Sequence, residues 1–172
     1  MANLQAIDPK DFLVSPFKLI GQDAMLIAAE KDGRCNAMTA SWGGLGVMWR
    51  RNVAFTVIRP QRFTKEFVDS ADTYSLNFFP SGNEKMLNYM GSASGRDEDK
   101  IAKAGLTVER DGATPYFGGV KAVMLCRKLF AQPYRPEFFV DMTIDPELYA
   151  KKDYHTLYIG EVTKILALPG SL

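Results

Sequence analysis

Ala24-Met25-Leu26-Ile27-Ala28-Ala29-Glu30-Lys31-Asp32-Gly33-Arg34-Cys35-Asn36-Ala37-Met38-Thr39-Ala40-Ser41-Trp42 reads as one β-hairpin. An apolar run of strand character meets Lys31-Asp32-Gly33, and Asp-Gly tolerates the positive φ that a tight turn demands. The chain then returns through Cys35 to Trp42 on the second arm. Gly43-Gly44-Leu45-Gly46 is expected to break that arm. Beyond it, Val53-Ala54-Phe55-Thr56-Val57-Ile58 alternates in size, with Val53, Phe55 and Val57 on one face. Tyr74 to Phe79 alternates likewise and ends at Pro80. Further strands are expected over 106–110, 120–131, 138–144 and 158–167.

Helices are few and short in this pattern. Thr64 is placed to cap a helix running to Ala71, with Phe67 and Val68 inward. Ser81 and Glu84 have the spacing of a capping box for a helix that stops at Gly91. Ser94 and Asp97 repeat that spacing for a helix ending near Gly105. Many antiparallel strands around a few short helices predict a mainly β protein, a closed barrel with helical flanks. At 172 residues and 47% hydrophobic composition, residues 1–172 fit one domain with one core.

Bulk properties exclude several function classes. A net charge of +1 gives no long-range attraction to nucleic acid or to an anionic membrane. No stretch approaches the ~20 apolar residues of a membrane span. The start, Met1 to Pro9, lacks a basic and then apolar leader, so a cytoplasmic location is expected. Cys35 and Cys126 are the only cysteines and read as buried or half-buried thiols, with a disulfide between them as the alternative. With no Cys-x-x-Cys and a single histidine, neither a zinc site nor a dithiol motif is expected. Gly-x-Ser-x-Gly, Gly-x-Gly-x-x-Gly and the Gly-Lys-Ser/Thr phosphate loop are all missing.

What remains points to a flat ligand carrying a phosphate. Asn36, Ala37, Met38, Thr39, Ala40, Ser41 and Trp42 gather small side chains, hydroxyls and one indole. Arg59-Pro60-Gln61-Arg62-Phe63-Thr64 follows after one strand. Small residues allow close approach, an apolar plate suits a ring, and guanidinium and hydroxyl donors suit a phosphate. Trp42 also fits a plain core position, and the Arg-Pro-x-Arg turn also fits a solvated surface. Order and closeness favour the site reading. His155, the sole histidine, fits a strand-end position or a ligand contact.

The runs 36–42, 59–64, Ser94-Gly95-Arg96-Asp97-Glu98-Asp99-Lys100 and His155-Thr156-Leu157-Tyr158-Ile159-Gly160-Glu161-Val162 occur in that order. Together they resemble the flavin reductase-like family of FMN-binding split barrels, flavoredoxin included, over roughly residues 16–165. The resemblance implies a six-stranded antiparallel Greek-key barrel of the split type, FMN as cofactor and NADH or NADPH as co-substrate. It implies that the 36–42 run lines the flavin ring and that Arg59, Arg62 and Thr64 hold the phosphate. Ser94, Asp97 and Lys100 would belong to the phosphate or ribityl surroundings, from either subunit of a homodimer. His155 would position the nicotinamide for hydride transfer to flavin N5. Relatives often carry cysteine where Met90 stands here, so no thiol role passes to that position. The implied activity is NAD(P)H-dependent flavin reduction, with free flavin, oxygen, a monooxygenase or another redox protein as recipient. An electron-carrier flavoprotein fed by a protein donor is the alternative, and a non-redox ligand-binding barrel is the third reading.

Overall fold

The computed structural model describes residues 4–170. Ten strands and four short α-helices follow one another: β1 Gln5–Ile7, β2 Met25–Lys31, β3 Arg34–Ala40, β4 Gly43–Met48, β5 Arg51–Ile58, α1 Thr64–Ser70, β6 Thr73–Phe78, α2 Glu84–Ser92, α3 Lys100–Lys103, β7 Val108–Asp111, β8 Thr114–Phe117, β9 Ala122–Pro133, α4 Ile144–Leu148 and β10 Thr156–Ala167. The main sheet is antiparallel throughout, in the order β3-β2-β6-β9-β10-β5-β4, with β1 added on β10. β7 and β8 form a separate hairpin. The sheet curls round a core but does not pair its ends: among the described residues β3 and β4 are neighbours in sequence without a ladder between them. That unpaired seam is the split of a mainly β split barrel.

Alternation explains the two cores. On β2, Met25, Ile27 and Ala29 enter the barrel, where Leu76, Phe78, Met124, Tyr158 and Ile165 meet them. Leu26 and Ala28 point the other way, under Leu87 and Met90 of α2 and Phe117 of β8. A two-residue period on a strand buried on both faces needs exactly such near-continuous apolar sequence. Phe67 and Val68 of α1, with Leu19 and Ile20 of a π-helical turn Phe17–Gln22, also pack into the barrel core. β9 and β10 pair over most of their length, with register shifts at Ile159/Gly160 and Val162/Lys164. Such bulges bend a long antiparallel pair.

The first hairpin matches its reading. Asp32 and Gly33 have φ of 51° and 75°, the two left-handed positions of the expected turn. Several other expectations are corrected. Gly43 to Gly46 does not end the hairpin arm but opens β4, because β5 pairs with it across the sheet. On β5, Val53, Phe55 and Val57 do share a face, while Ala54 and Ile58 on the opposite face enter the barrel core and Thr56 is buried with them. The expected strand over 138–144 is absent. Pro136 opens a 3₁₀ turn there, and Asp141 Oδ1 accepts from both Thr143 N and Thr143 Oγ1 at 2.9 and 2.8 Å. That side-chain turn leads into α4.

The helix caps differ too. Thr64 is the first residue of α1 and does not cap it. α2 begins at Glu84 with no side-chain cap, and Gly91 lies inside it rather than ending it. Ser94 and Asp97 precede α3, whose cap is Asp99, accepting from Ala102 N at 3.1 Å. Cys35 and Cys126 are free thiols, half-buried and buried. No helix among the described residues is long and apolar enough to cross a membrane.

Candidate functional site

A cavity of about 490 Å³ opens where β3 and β4 part. Met38, Thr39 and Ala40 of β3 and the linking Ser41 and Trp42 form one wall. Val57, Arg59 and Arg62, from the end of β5 and the turn after it, form the second. Leu87, Asn88, Gly91 and Ser92 of α2 form the third, and His155 closes the end beside Trp42.

α2 reaches this position through two local fits. Thr39 Oγ1 donates to the Leu87 carbonyl at 2.5 Å, tying the helix to β3. At Gly91 an added Cβ would sit 3.3 Å from Thr39 Cβ, so the glycine lets helix and strand approach. Leu87, Asn88, Gly91 and Ser92 then share one side of the helix, as positions three and four apart do. The sequence reading missed Val57, Leu87, Asn88, Gly91 and Ser92 as site residues. The one available signal was that helical spacing, hidden because Gly91 read as a stop.

The two arginines do different work. Arg59 is anchored: its guanidinium pairs with Asp153 Oδ2 at 2.6 Å, donates to the Leu148 carbonyl at 3.0 Å and lies 5.1 Å from the Tyr149 ring centre. Gln61 also donates to Asp153 at 2.7 Å, and the hydrogen bonds from Gln61 and then Arg59 hold that carboxyl below its ordinary range. Arg62 donates to the Gly91 carbonyl at 2.7 Å and has no carboxylate partner among the described residues. Burial lowers its affinity for its proton, but a guanidinium stays charged. An unpaired, half-buried cation beside hydroxyls and a side-chain amide is what an anionic group needs.

Six of the expected site residues stand outside the cavity wall. Asn36 Nδ2 donates to Thr64 Oγ1 at 2.9 Å, both side chains buried, and Gly95 packs so close that an added Cβ would meet Asn36 Oδ1 at 2.2 Å. Asn36 and Thr64 thus join β3 to α1. Ala37 is buried against the outer core. Ser94 Oγ accepts from Arg96 N within its own turn at 3.2 Å, and Asp97 is exposed. Lys100 Nζ donates to the Met90 and Ala93 carbonyls at 2.9 and 3.0 Å, capping the C-terminal end of α2. Burial, then the nearby Arg62 charge, brings its pKa down to about 8.

His155 sits in an aromatic nest. Its ring centre is 5.0 Å from Trp42, 5.6 Å from Tyr149 edge-on and 6.5 Å from Tyr134. Its Nδ1 lies 2.8 Å from Tyr149 Oη. Burial and then the Arg59 charge lower its pKa to about 4, against the opposing pull of Asp153. The imidazole is therefore neutral at physiological pH.

Residues 17–170, which include every wall of this cavity, match the family model of the flavin reductase like domain. The chain belongs to that family. Among solved structures, this flavin reductase-like chain is similar to the FMN-binding domain of a flavin reductases-like enzyme from Shewanella baltica, at 17% identity over 100% of this chain and 83% of that one, TM-score 0.71. It is similar to flavoredoxin from Methanosarcina acetivorans, at 18% identity over 87% and 70%, TM-score 0.70. Nitrilotriacetate monooxygenase component B from Mycobacterium thermoresistibile gives 12% identity over 86% and 70%, TM-score 0.66. Likenesses this distant speak for the fold. Among curated proteins no sequence matches the chain.

Proposed function

We propose that this chain binds FMN in the seam cavity and acts as an NAD(P)H-dependent flavin reductase. The observation that carries the reading is the cavity's donor set. A half-buried guanidinium without an acid partner, Arg62, faces the same space as the small run Met38–Trp42 and the neutral His155. A volume of about 490 Å³ lies within the range of small-molecule sites. These residues fit FMN. Arg62 would neutralise its phosphate, with Asn88 and Ser92 as further polar partners on the helix wall. Met38, Ala40 and Val57 would offer apolar surface to its rings, and Ser41 a hydroxyl.

FMN, when bound, supplies the redox chemistry, accepting two electrons from a reduced nicotinamide and passing them on. The protein's part is to hold both ring systems together and limit water around them. His155, neutral down to a pKa of about 4, orients a bound ring rather than shuttling protons. Arg59 holds the segment 148–153 against the cavity end and so acts on the site indirectly.

A homodimer is part of the same reading. Phe138, Val140 and Met142 are exposed apolar side chains gathered on one short segment, and a second copy would cover such surface. Sedimentation velocity at micromolar concentration should give a dimer; a monomer removes this part of the proposal. Electrons from the reduced flavin would then pass to free flavin, oxygen or a partner such as a monooxygenase, for which the component B neighbour is the analogy.

The test is spectroscopic. Protein loaded with FMN and mixed anaerobically with NADH or NADPH should bleach within seconds with one of them. Bound flavin that bleaches only with dithionite would instead mark an electron carrier of the flavoredoxin kind. A protein that takes up no FMN would overturn the proposal.

A further inference from the structure

His155 is the only histidine in the chain, and its neutral ring has one proton to place on two nitrogens. Nδ1 faces Tyr149 Oη at 2.8 Å. Tyr149 is 2% exposed, and Nδ1 is the only polar partner of its hydroxyl among the described residues. Burial raises the phenol's pKa above its ordinary value, so the hydroxyl keeps its hydrogen. Two arrangements are possible. If Nδ1 carried the ring proton, it would donate to Oη, and the phenol hydrogen would have no acceptor in a dry pocket. A buried unsatisfied donor of that kind costs about 1–3 kcal/mol. If Nε2 carries the proton, Oη–H donates to Nδ1 and both groups are satisfied. Nε2 has no protein partner among the described residues, and the ring lines the cavity.

Resting on the proposed FMN and nicotinamide binding, we infer that Tyr149 is a positioning residue that holds His155 as its Nε2–H tautomer, so that the cavity wall presents a fixed, uncharged N–H donor to a conjugated carbonyl of the bound ligand. That acceptor chemistry is found on the carboxamide of a nicotinamide and on the carbonyl edge of a flavin. The ring cannot swing freely to another role. Trp42 at the end of the β3 arm, Tyr134 after β9 and Tyr149 after α4 hold it on three sides. The charged groups facing it are Arg59, after β5, and Asp153, before β10, which act on its proton affinity in opposite directions. Arg62 shares the cavity wall with it.

A single histidine makes the test unambiguous. In protein labelled with ¹⁵N-histidine, two-bond proton–nitrogen spectra assign each ring nitrogen as protonated or bare. The wild-type chain should show a bare Nδ1 and a protonated Nε2, unchanged from pH 8 to about pH 5.5. Tyr149→Phe should mix the tautomers, because the hydroxyl that donated to Nδ1 is gone. A wild-type spectrum with the proton on Nδ1 overturns the inference without any variant. So does a correctly folded Tyr149→Phe protein that keeps the wild-type tautomer.

Adding FMN, and then NAD⁺ as an unreactive nicotinamide, identifies the acceptor. A shift of the Nε2 signal with FMN alone assigns the flavin carbonyl edge, and a shift that waits for NAD⁺ assigns the carboxamide. No shift with either, in a sample whose flavin absorbance proves FMN bound, overturns the donor role. A sample that binds no FMN overturns the functional reading and the assigned acceptor, while the tautomer seen in the free protein stands or falls by itself.

Discussion

The two hairpins on either side of the seam are built alike and treated differently. β2–β3 turns at Asp32-Gly33, and its first strand is buried on both faces, inward by the barrel core and outward by α2 and β8. β4–β5 turns at Trp49-Arg50, with φ of 51° and 59° and no glycine to relieve the left-handed backbone. Its outer strand leaves Val47 at 71% and its turn leaves Trp49 at 55% exposed. The first hairpin is core. The second is core only along β5, and β4 is an edge. Since one arm is held rigidly and the other is not paired to it, the sheet parts between them, and that gap is where the cavity forms.

The sharpest break of this contrast is a pair of truncations. Ile27→Ala, inside the barrel on β2, should cost about 3–4 kcal/mol in urea unfolding, as buried large-to-small changes do. Val47→Ala on β4 should stay within about 0.5 kcal/mol. Similar costs for the two would mean that β4 is covered after all.

A second test compares the arginines. Arg62→Ala should weaken FMN binding by about 10- to 100-fold, the loss of a charge-assisted contact worth about 1.5–3 kcal/mol. Arg59→Ala should cost less affinity and mainly release the segment 148–153, which proteolysis would read as faster cleavage there. The reverse order would move the anionic subsite to Arg59.

Acid tests the closed end of the cavity. The folded pKa of His155 lies at about 4, below the ordinary 6.5, so the unfolded chain binds a proton between these values and the folded one does not. Stability should therefore fall as pH drops from 6.5 towards 4, by up to about 3 kcal/mol from this group. His155→Phe should flatten that part of the profile. An unchanged slope would place the histidine in contact with water.

The smallest expected effect is at the exposed turn. Replacing Trp49 by Asn and Arg50 by Gly should stabilise the chain by about 1 kcal/mol, since Asn-Gly fits two left-handed positions. A loss of stability would show that Trp49, 6.2 Å from Phe130, contributes more packing than its turn costs.

What the sequence made legible was local. Asp32-Gly33 announces its turn, and the apolar runs of β2 and β6 announce strands, because each signal lies within a few residues. Gly43 to Gly46 misled because β4 exists through its pairing with β5, which no local propensity records. The 138–144 run misled in the opposite way: it has strand-like residues, but the Asp141 side chain closes a turn there. In the site, the run from Met38 to Trp42 and the two arginines could be placed together from order alone. That Asn36 and Thr64 bond to each other instead of facing the cavity depends on α1 docking on β3. That Lys100 caps α2 depends on the same kind of long-range fit. Tyr149 carried no sequence signal, since its pairing with His155 requires α4 and the turn after it to fold back.

The central claim is that the seam between β3 and β4 holds FMN. Ser92 is exposed on the cavity wall and among the described residues has only helix carbonyls as partners, so Ser92→Trp should fill the space without disturbing the core. The deciding measurement is a fluorescence titration of FMN with the wild-type and Ser92→Trp proteins side by side. The account predicts quenching and saturable binding by the wild type, and at least a tenfold loss of affinity in the variant. Equal binding by a folded Ser92→Trp protein, or none by the wild type, would contradict it.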